Sequence, residues 1–349
     1  MFIRVPMRHV ALLAATGLAL AACGGGDDDP EKASVDQTST TAPAEPAAGG
    51  GPLTGLPIEA ARAARPALIV KIDNAPKGRP QAGINEADVV VEELVEGGIT
   101  RFAAIFHSQE PESVGPVRSA RTTDILIANS LNRPLFAYSG ANATFQTAVN
   151  SAPLVDVGQN AFPGDFRREK GRPATYDLFT SAPKLFAHVP EGAGPPPALF
   201  RYRADGAPAT GAGLEPSNGV NIEYKANVTT AVEWRWDAGS KTWKRAQNGT
   251  PHVDAAGAQV APRNVVVQFV AYRDTGQKDR SGASVPEAEL IGEGDVWVFS
   301  DGQLVRGRWK KATPEAVTEY LDSAGAPIPL APGQTWIELP KPATAQVVG

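Results

Sequence analysis

The length of the apolar runs restricts this chain more than any other feature. In the region after residue 66 they come as "ALIVKID" (67–73), "ADVVVEELV" (87–95), "TRFAAIFHS" (100–108) and "PLFAYSG" (134–140), each bounded by turn residues. Runs this short suit strands and not helices. Their apolar character is nearly continuous, so the sheet they form must be covered by helices on at least one face. Two segments supply helical spacing: "SARTTDILIANSLN" (119–132), with Ile125, Leu126, Ile127 and Leu131, and the shorter "ATFQTAVNSA". A mixed α/β region over 52–190 follows.

The later part of the chain is different. "VNIEY", "AVEWRWD", "TWKRA", "NVVVQFVAY", "DVWVFSDG", "QLVRGRWKK" and "QTWIELP" alternate or run apolar between glycine turns, and all six tryptophans lie from Trp234 to Trp336. This predicts a β-rich domain over 218–345. The proline- and glycine-rich stretch at 191–217 reads as the crossing between the two. The fold class expected is α+β, and about 300 residues are enough for two cores.

The N-terminus says where such a chain goes. Residues 1–22 read as a secretory signal: Arg4 and Arg8 precede an apolar run too short for a comfortable membrane span. The run ends in "LAAC", which has the form of a bacterial lipobox with Cys23 as the acylated residue. Cys23 is the only cysteine in the chain, so with it lipidated there is neither a disulfide nor a cysteine nucleophile. Residues 23–51 have no aliphatic residue larger than valine and read as a disordered tether with a span of roughly 30 Å. Without Arg4 and Arg8 the chain has 31 basic against 38 acidic residues, a net charge of −7. That argues against nucleic acid as a partner. The expected location is the membrane, held by lipidated Cys23, with the folded part on the extracytoplasmic side.

Motifs for common chemistries are missing from the sequence. There is no G-x-S-x-G elbow, and His107, His188 and His252 sit beside no plausible nucleophile. "PHVD" reads as a turn in preference to a ligand pair, so no metal and no cofactor is expected. Trp234 and Trp236 share a strand face, which suits sheet core better than a sugar platform.

Charge concentrates in one stretch. "VEELVEGG" carries Glu92, Glu93 and Glu96 and leads into "GGITRFAAIFHSQEPESVGPVRSART" (97–122), with Arg101, Arg118 and Arg121. On a strand Glu92 and Glu93 point to opposite faces and cannot both serve one site. A helix starting near Ser119 would put Arg118 and Arg121 against the positive end of its dipole. Two explanations fit. Either a glutamate or Asp124 neutralises the arginines as scaffold, or the guanidinium groups of Arg101, Arg118 and Arg121 receive an anionic ligand. Glu92, Glu93, Glu96 and Asp124 are the candidates for acid–base catalysis.

"GPLTGLP" (51–57), the segment 65–108, "SVGPVRSAR" (113–121) and "VVVQFVAY…GEGDVWVFSDGQLVRGRWKK…PIPLAPGQTWIELP" together resemble the YerB-type lipoprotein family over nearly all of residues 52–340. The resemblance implies a two-region, membrane-anchored envelope protein of unknown activity. One departure stands at Tyr176-Asp177-Leu178, where the resemblance leads one to expect His-Asn-Leu. The function expected is a non-catalytic module binding a cell-wall or envelope protein partner. The alternatives are a hydrolase or transferase acting on wall glycan or peptide, and a protein that captures a small anionic ligand.

Overall fold

In the computed structural model, which describes residues 50–279 and 282–349, the apolar runs of the first region become β1 (Leu68–Asp73), β2 (Val89–Leu94), β3 (Thr100–Phe106), β4 (Leu135–Ala137) and β5 (Val155–Asp156). The signal segment, Cys23 and the tether as far as residue 49 lie outside the described residues. The tether was expected to reach Gly51, yet the fold has begun by then: Gly51 N–H donates to the Leu56 carbonyl at 2.7 Å.

The two helical segments form α1 (Thr122–Ala128) and α2 (Ala143–Ser151). Helix α1 starts three residues later than the expected start at Ser119. Arg121 is its N-cap residue, in extended conformation, and Asp124 accepts the Arg121 backbone N–H at 2.7 Å. That carboxylate satisfies a donor the helix start leaves open and places negative charge where the dipole favours it.

The second region supplies β6 (Gly219–Lys225), β7 (Thr229–Asp237), β8 (Thr242–Gln247), β9 (Asn264–Gln268), β10 (Gly292–Ser300), β11 (Gln303–Lys311), β12 (Glu319–Asp322), β13 (Thr335–Leu339) and β14 (Ala345–Val348). The last strand carries the fold past the expected boundary at residue 345. The large sheet has the order β12-β11-β10-β9-β13-β2-β3-β1-β4-β5, with a two-residue strand, Glu215–Pro216, pairing off this path on β11. A five-stranded sheet of Thr250–Pro251, β8, β7, β6 and β14, in that order, stands apart from it.

The two regions, separate in the chain, share the large sheet. Strand β13 runs parallel to both β9 and β2, pairing Trp336 with Val90 and Glu338 with Glu92. Two cores exist, but the sheet divides them and the chain halves do not. On one face Val70, Val90, Phe102 and Trp336 pack against Val232, Trp234 and Trp243 of the five-stranded sheet. On the other, Ile69, Val91, Ile105 and Ile337 pack beneath α1, α2 and the crossing residue Phe200. Trp234 and Trp243 are fully buried, whereas Trp236, which shares the strand face of Trp234, is only partly buried against the same core.

The glycine pair makes one of the joints between layers. Gly97 and Gly98 have φ of 75° and 93°, left-handed values that disfavour other residues. A Cβ on Gly98 would stand 2.1 Å from the Val228 carbonyl oxygen. Gly97 O accepts from Val228 N at 2.9 Å, and Gly98 O from Thr230 Oγ1 at 3.0 Å, so the turn after β2 is bonded directly to the β6–β7 hairpin.

Candidate functional site

The strand period decides which charges meet. Lys71 and Asp73 of β1, Glu93 of β2 and Arg101 of β3 fall on the helix-covered face, with Arg101 opposite both Asp73 and Glu93 in register. The segment after the Gly115-Pro116 turn continues alongside β1, where Asp73 N–H bonds Pro116 O and Arg118 N–H bonds Lys71 O. That brings Arg118, and then Arg121 and Asp124, to the same sheet end.

The charges are matched there. Lys71 Nζ bonds Glu93 and lies 2.7 Å from Asp124 Oδ1. Arg118 Nε lies 2.6 Å from Asp73 Oδ2, and Arg121 Nε donates to Glu96 Oε1 at 2.5 Å. Arg101 approaches Glu96 at 4.0 Å and donates to the Ser119 carbonyl at 3.2 Å. Burial pushes the Glu93 carboxyl up to about 7, with Lys71 opposing the rise and Asp124 adding to it. Burial and the neighbouring Arg121 bring Arg101 down to about 10.

Glu92, on the opposite face as expected, belongs to a separate network between the two sheets. Arg245 of β8 donates through one guanidinium nitrogen to both Glu92 oxygens, at 2.7 and 3.0 Å. Its other nitrogen reaches Gln247 Oε1 at 2.9 Å and His252 Nδ1 at 2.7 Å. With Nδ1 accepting from Arg245, His252 is the neutral tautomer that donates from Nε2 to Gln81 Oε1 at 2.8 Å. Burial, and then Arg245, hold His252 well below the usual imidazole range. Nearby, Glu338 accepts from Tyr224 Oη and Trp234 Nε1, and burial followed by the Glu92 charge raises it to about 8.

The arrangement bears directly on catalysis. Glu92, Glu93 and Asp124 are fully buried and Glu96 is 6% exposed, and each is paired with a buried cation, although Glu93 Oε2 accepts no hydrogen bond among the described residues. A glycosidase needs two carboxyl groups flanking a bond that enters between them, whereas here the sheet itself separates Glu92 from Glu93. The His107 ring bonds the Arg65 carbonyl while Asp88 holds the Ser108 hydroxyl, so no serine–histidine relay forms there. His188 pairs with Asp165 at 2.6 Å and stacks on Phe162. In "PHVD", Asp254 closes a turn by accepting from Ala256 and Ala258, while His252 points into the sheet interface.

One member of the corner reaches solvent. The Arg118 side chain is 22% exposed, against at most 9% for the other charges around it. Its guanidinium carbon stands 5.4 Å from the centre of the Tyr176 ring, and its Nη1 donates toward the Thr175 carbonyl at 3.3 Å. Tyr176, the residue at which the family-like pattern departs, therefore forms the other side of this lip. Asp177 turns away to Arg168, and Leu178 enters the core.

Sequence reasoning put forward Arg101, Arg118, Arg121, Glu92, Glu93, Glu96 and Asp124, of which all but Glu92 meet at this corner. It missed Lys71, Arg245, Glu338 and the network role of His252. The available signal was a charge inside an otherwise apolar strand, as in "ALIVKID" and "TWIELP", which in a strand covered on both faces has to find a buried partner.

Comparison with known proteins gives two matches of family type. Residues 53–193 match the description "Protein of unknown function (DUF3048) N-terminal domain", and residues 220–337 match its C-terminal domain. A Bacillus subtilis protein named "Putative lipoprotein YerB" is 30% identical over 297 residues, spanning 82% of this chain and 85% of that one. The crystal structure of YerB from Bacillus subtilis superposes with a TM-score of 0.72 at 28% identity, covering 86% of this chain and 99% of that chain.

Proposed function

Because this chain belongs to the DUF3048 family of proteins of unknown function, we propose that it is a lipid-anchored, extracytoplasmic binding module of the cell envelope and not a wall hydrolase. The observation that carries this reading is the sealing of its acidic groups: every candidate catalytic carboxylate is buried and ion-paired. Anchoring rests on the lipobox cysteine and on the lipoprotein name of the relative. None of the described helices is long and apolar enough to cross a membrane. A diacylglyceryl group supplies two chains, the number needed for durable attachment.

The experiment has two arms. Crosslinking in intact membranes followed by purification of the chain is expected to recover a discrete envelope protein. Purified wall material incubated with the protein is expected to release no more soluble fragments than it does with Glu92→Gln or Glu93→Gln. Turnover lost on either substitution would overturn the module reading.

A second reading, capture of a small anion, is favoured by Arg118 alone. It is the partly exposed guanidinium at the corner, and an anion able to compete with Asp73 would meet it beside Tyr176. Citrate or phosphate binding lost in Arg118→Ala would support it.

A further inference from the structure

On the helix-covered face, away from the charged corner, a partly open cavity of about 60 Å³ lies between the middle of the large sheet and α1. Val91, Ile105 and Ile337 form its floor, and Ile127, Leu131 and Leu290 are among its walls. It is lined chiefly by aliphatic side chains, which disfavour water. Polar residues line it nonetheless: Lys311 at the end of β11, Gln268 of β9, Ser130, Thr318 and Tyr320.

Lys311 is the anomaly. It is 4% exposed, and among the described residues no carboxylate comes within salt-bridge range of it. Nζ donates to Ser130 Oγ at 2.5 Å and toward the Leu126 carbonyl at 3.3 Å. Ser130 Oγ in turn donates a hydrogen bond to the Ala316 carbonyl at 3.1 Å. An ammonium has three donors, so one remains beyond these two neutral acceptors. Elsewhere in this protein a buried cation such as Lys71 or Arg245 faces a buried carboxylate. Burial brings the Lys311 amine down to about 8, with the exposed Glu315 opposing the shift. Gln268 commits its side-chain oxygen to Tyr320 Oη at 2.9 Å, which leaves its NH₂ as the end available for donation.

We propose that this cavity is a binding site for a small apolar carboxylate: the alkyl group occupies the space under α1, and the carboxylate supplies the counter-charge that Lys311 lacks. The chemistry is shared by short fatty acids and by peptides ending in an apolar residue. The enclosed space holds only part of a short chain, the rest lying in the open mouth, and one buried cation selects a single negative head. Binding replaces a desolvated, unpaired ammonium by a charge-assisted hydrogen bond in a dry setting, where such a bond is strongest.

The test uses the full chain carrying Cys23→Ala, which avoids detergent. Calorimetric titration with hexanoate, with N-acetyl-leucine as the peptide-like arm and hexanol as the uncharged control, is expected to show saturable binding of at least one carboxylate. Hexanol should bind at least tenfold more weakly. Lys311→Met, an apolar replacement that leaves the packing in place, should weaken carboxylate binding at least tenfold and leave hexanol unchanged. Ile127→Trp, on the partly exposed helix face, fills the space and should remove binding of all three. Circular dichroism melting verifies that both variants are folded. No binding of either carboxylate, or carboxylate binding undiminished in Lys311→Met or in Ile127→Trp, would overturn the proposal.

Discussion

Replacing Lys71 by methionine removes one cation from between two carboxylates. The Lys71, Glu93 and Asp124 side chains are 0–1% exposed, so solvent cannot take over the neutralisation. Deleting one partner of a buried pair costs about 3–5 kcal/mol. Asp124 loses its cation while Glu93 can take up a proton, so a loss of about 3–5 kcal/mol is expected at neutral pH. That is a large part of the roughly 5–15 kcal/mol that holds a domain together.

The loss should depend on pH with a definite sign. Burial raises Glu93 from 4.5 to about 7 while Lys71 opposes the rise, so without Lys71 the folded-state value moves higher still. A raised folded-state value means the contribution is complete below 4.5 and is lost as pH rises through the folded value. Below about 7 Glu93 is protonated in both folded proteins, and the gap between wild type and variant is flat. Above it the wild type ionises against Lys71 and the variant cannot, so the gap widens. Urea unfolding followed by tryptophan fluorescence at pH 6 and pH 8.5 measures this, with buried Trp234 and Trp336 as reporters. Adding Glu93→Gln to Lys71→Met should abolish the widening and recover part of the stability. A loss below about 1 kcal/mol, the value of an exposed pair, or a gap indifferent to pH would refute the account.

Three further outcomes are expected. Arg121→Ala should cost about 3–5 kcal/mol because it strands buried Glu96. Arg118→Ala should cost about 1–3 kcal/mol, because Asp73 Oδ2 loses its partner; equal losses in denaturant titrations would contradict this ranking. A fragment from residue 218 to the C-terminus should be β-rich by circular dichroism yet unfold without a cooperative transition, since β13 lacks its neighbour β2; a sharp melt would count against the shared core. Cys23→Ala should move the protein from the membrane fraction to the soluble fraction, and retention in washed membranes without a protein partner would sink the lipid-anchor reading.

The local patterns were legible from the chain alone. Strands β1 to β4 and both helices lie within the segments marked by apolar runs and helical spacing, because those signals depend on a residue and its near neighbours. The opposition of Glu92 and Glu93 was legible for the same reason, since a strand alternates its faces whatever surrounds it. So was the neutralisation of an arginine by a "VEELVEGG" glutamate, realised as Arg121 with Glu96. The parallel insertion of β13 between β9 and β2 was not. It joins positions such as Val90 and Trp336, and no short-range pattern encodes a pairing at that separation. Partner choice inside the core followed from it: Arg245 met Glu92 only because the five-stranded sheet closed over β2, and Lys71 met Asp124 only because α1 began at Thr122. Charges in apolar strands announce that a buried partner must exist, since desolvation makes an unpaired charge too costly. Which residue answers is decided when the layers close.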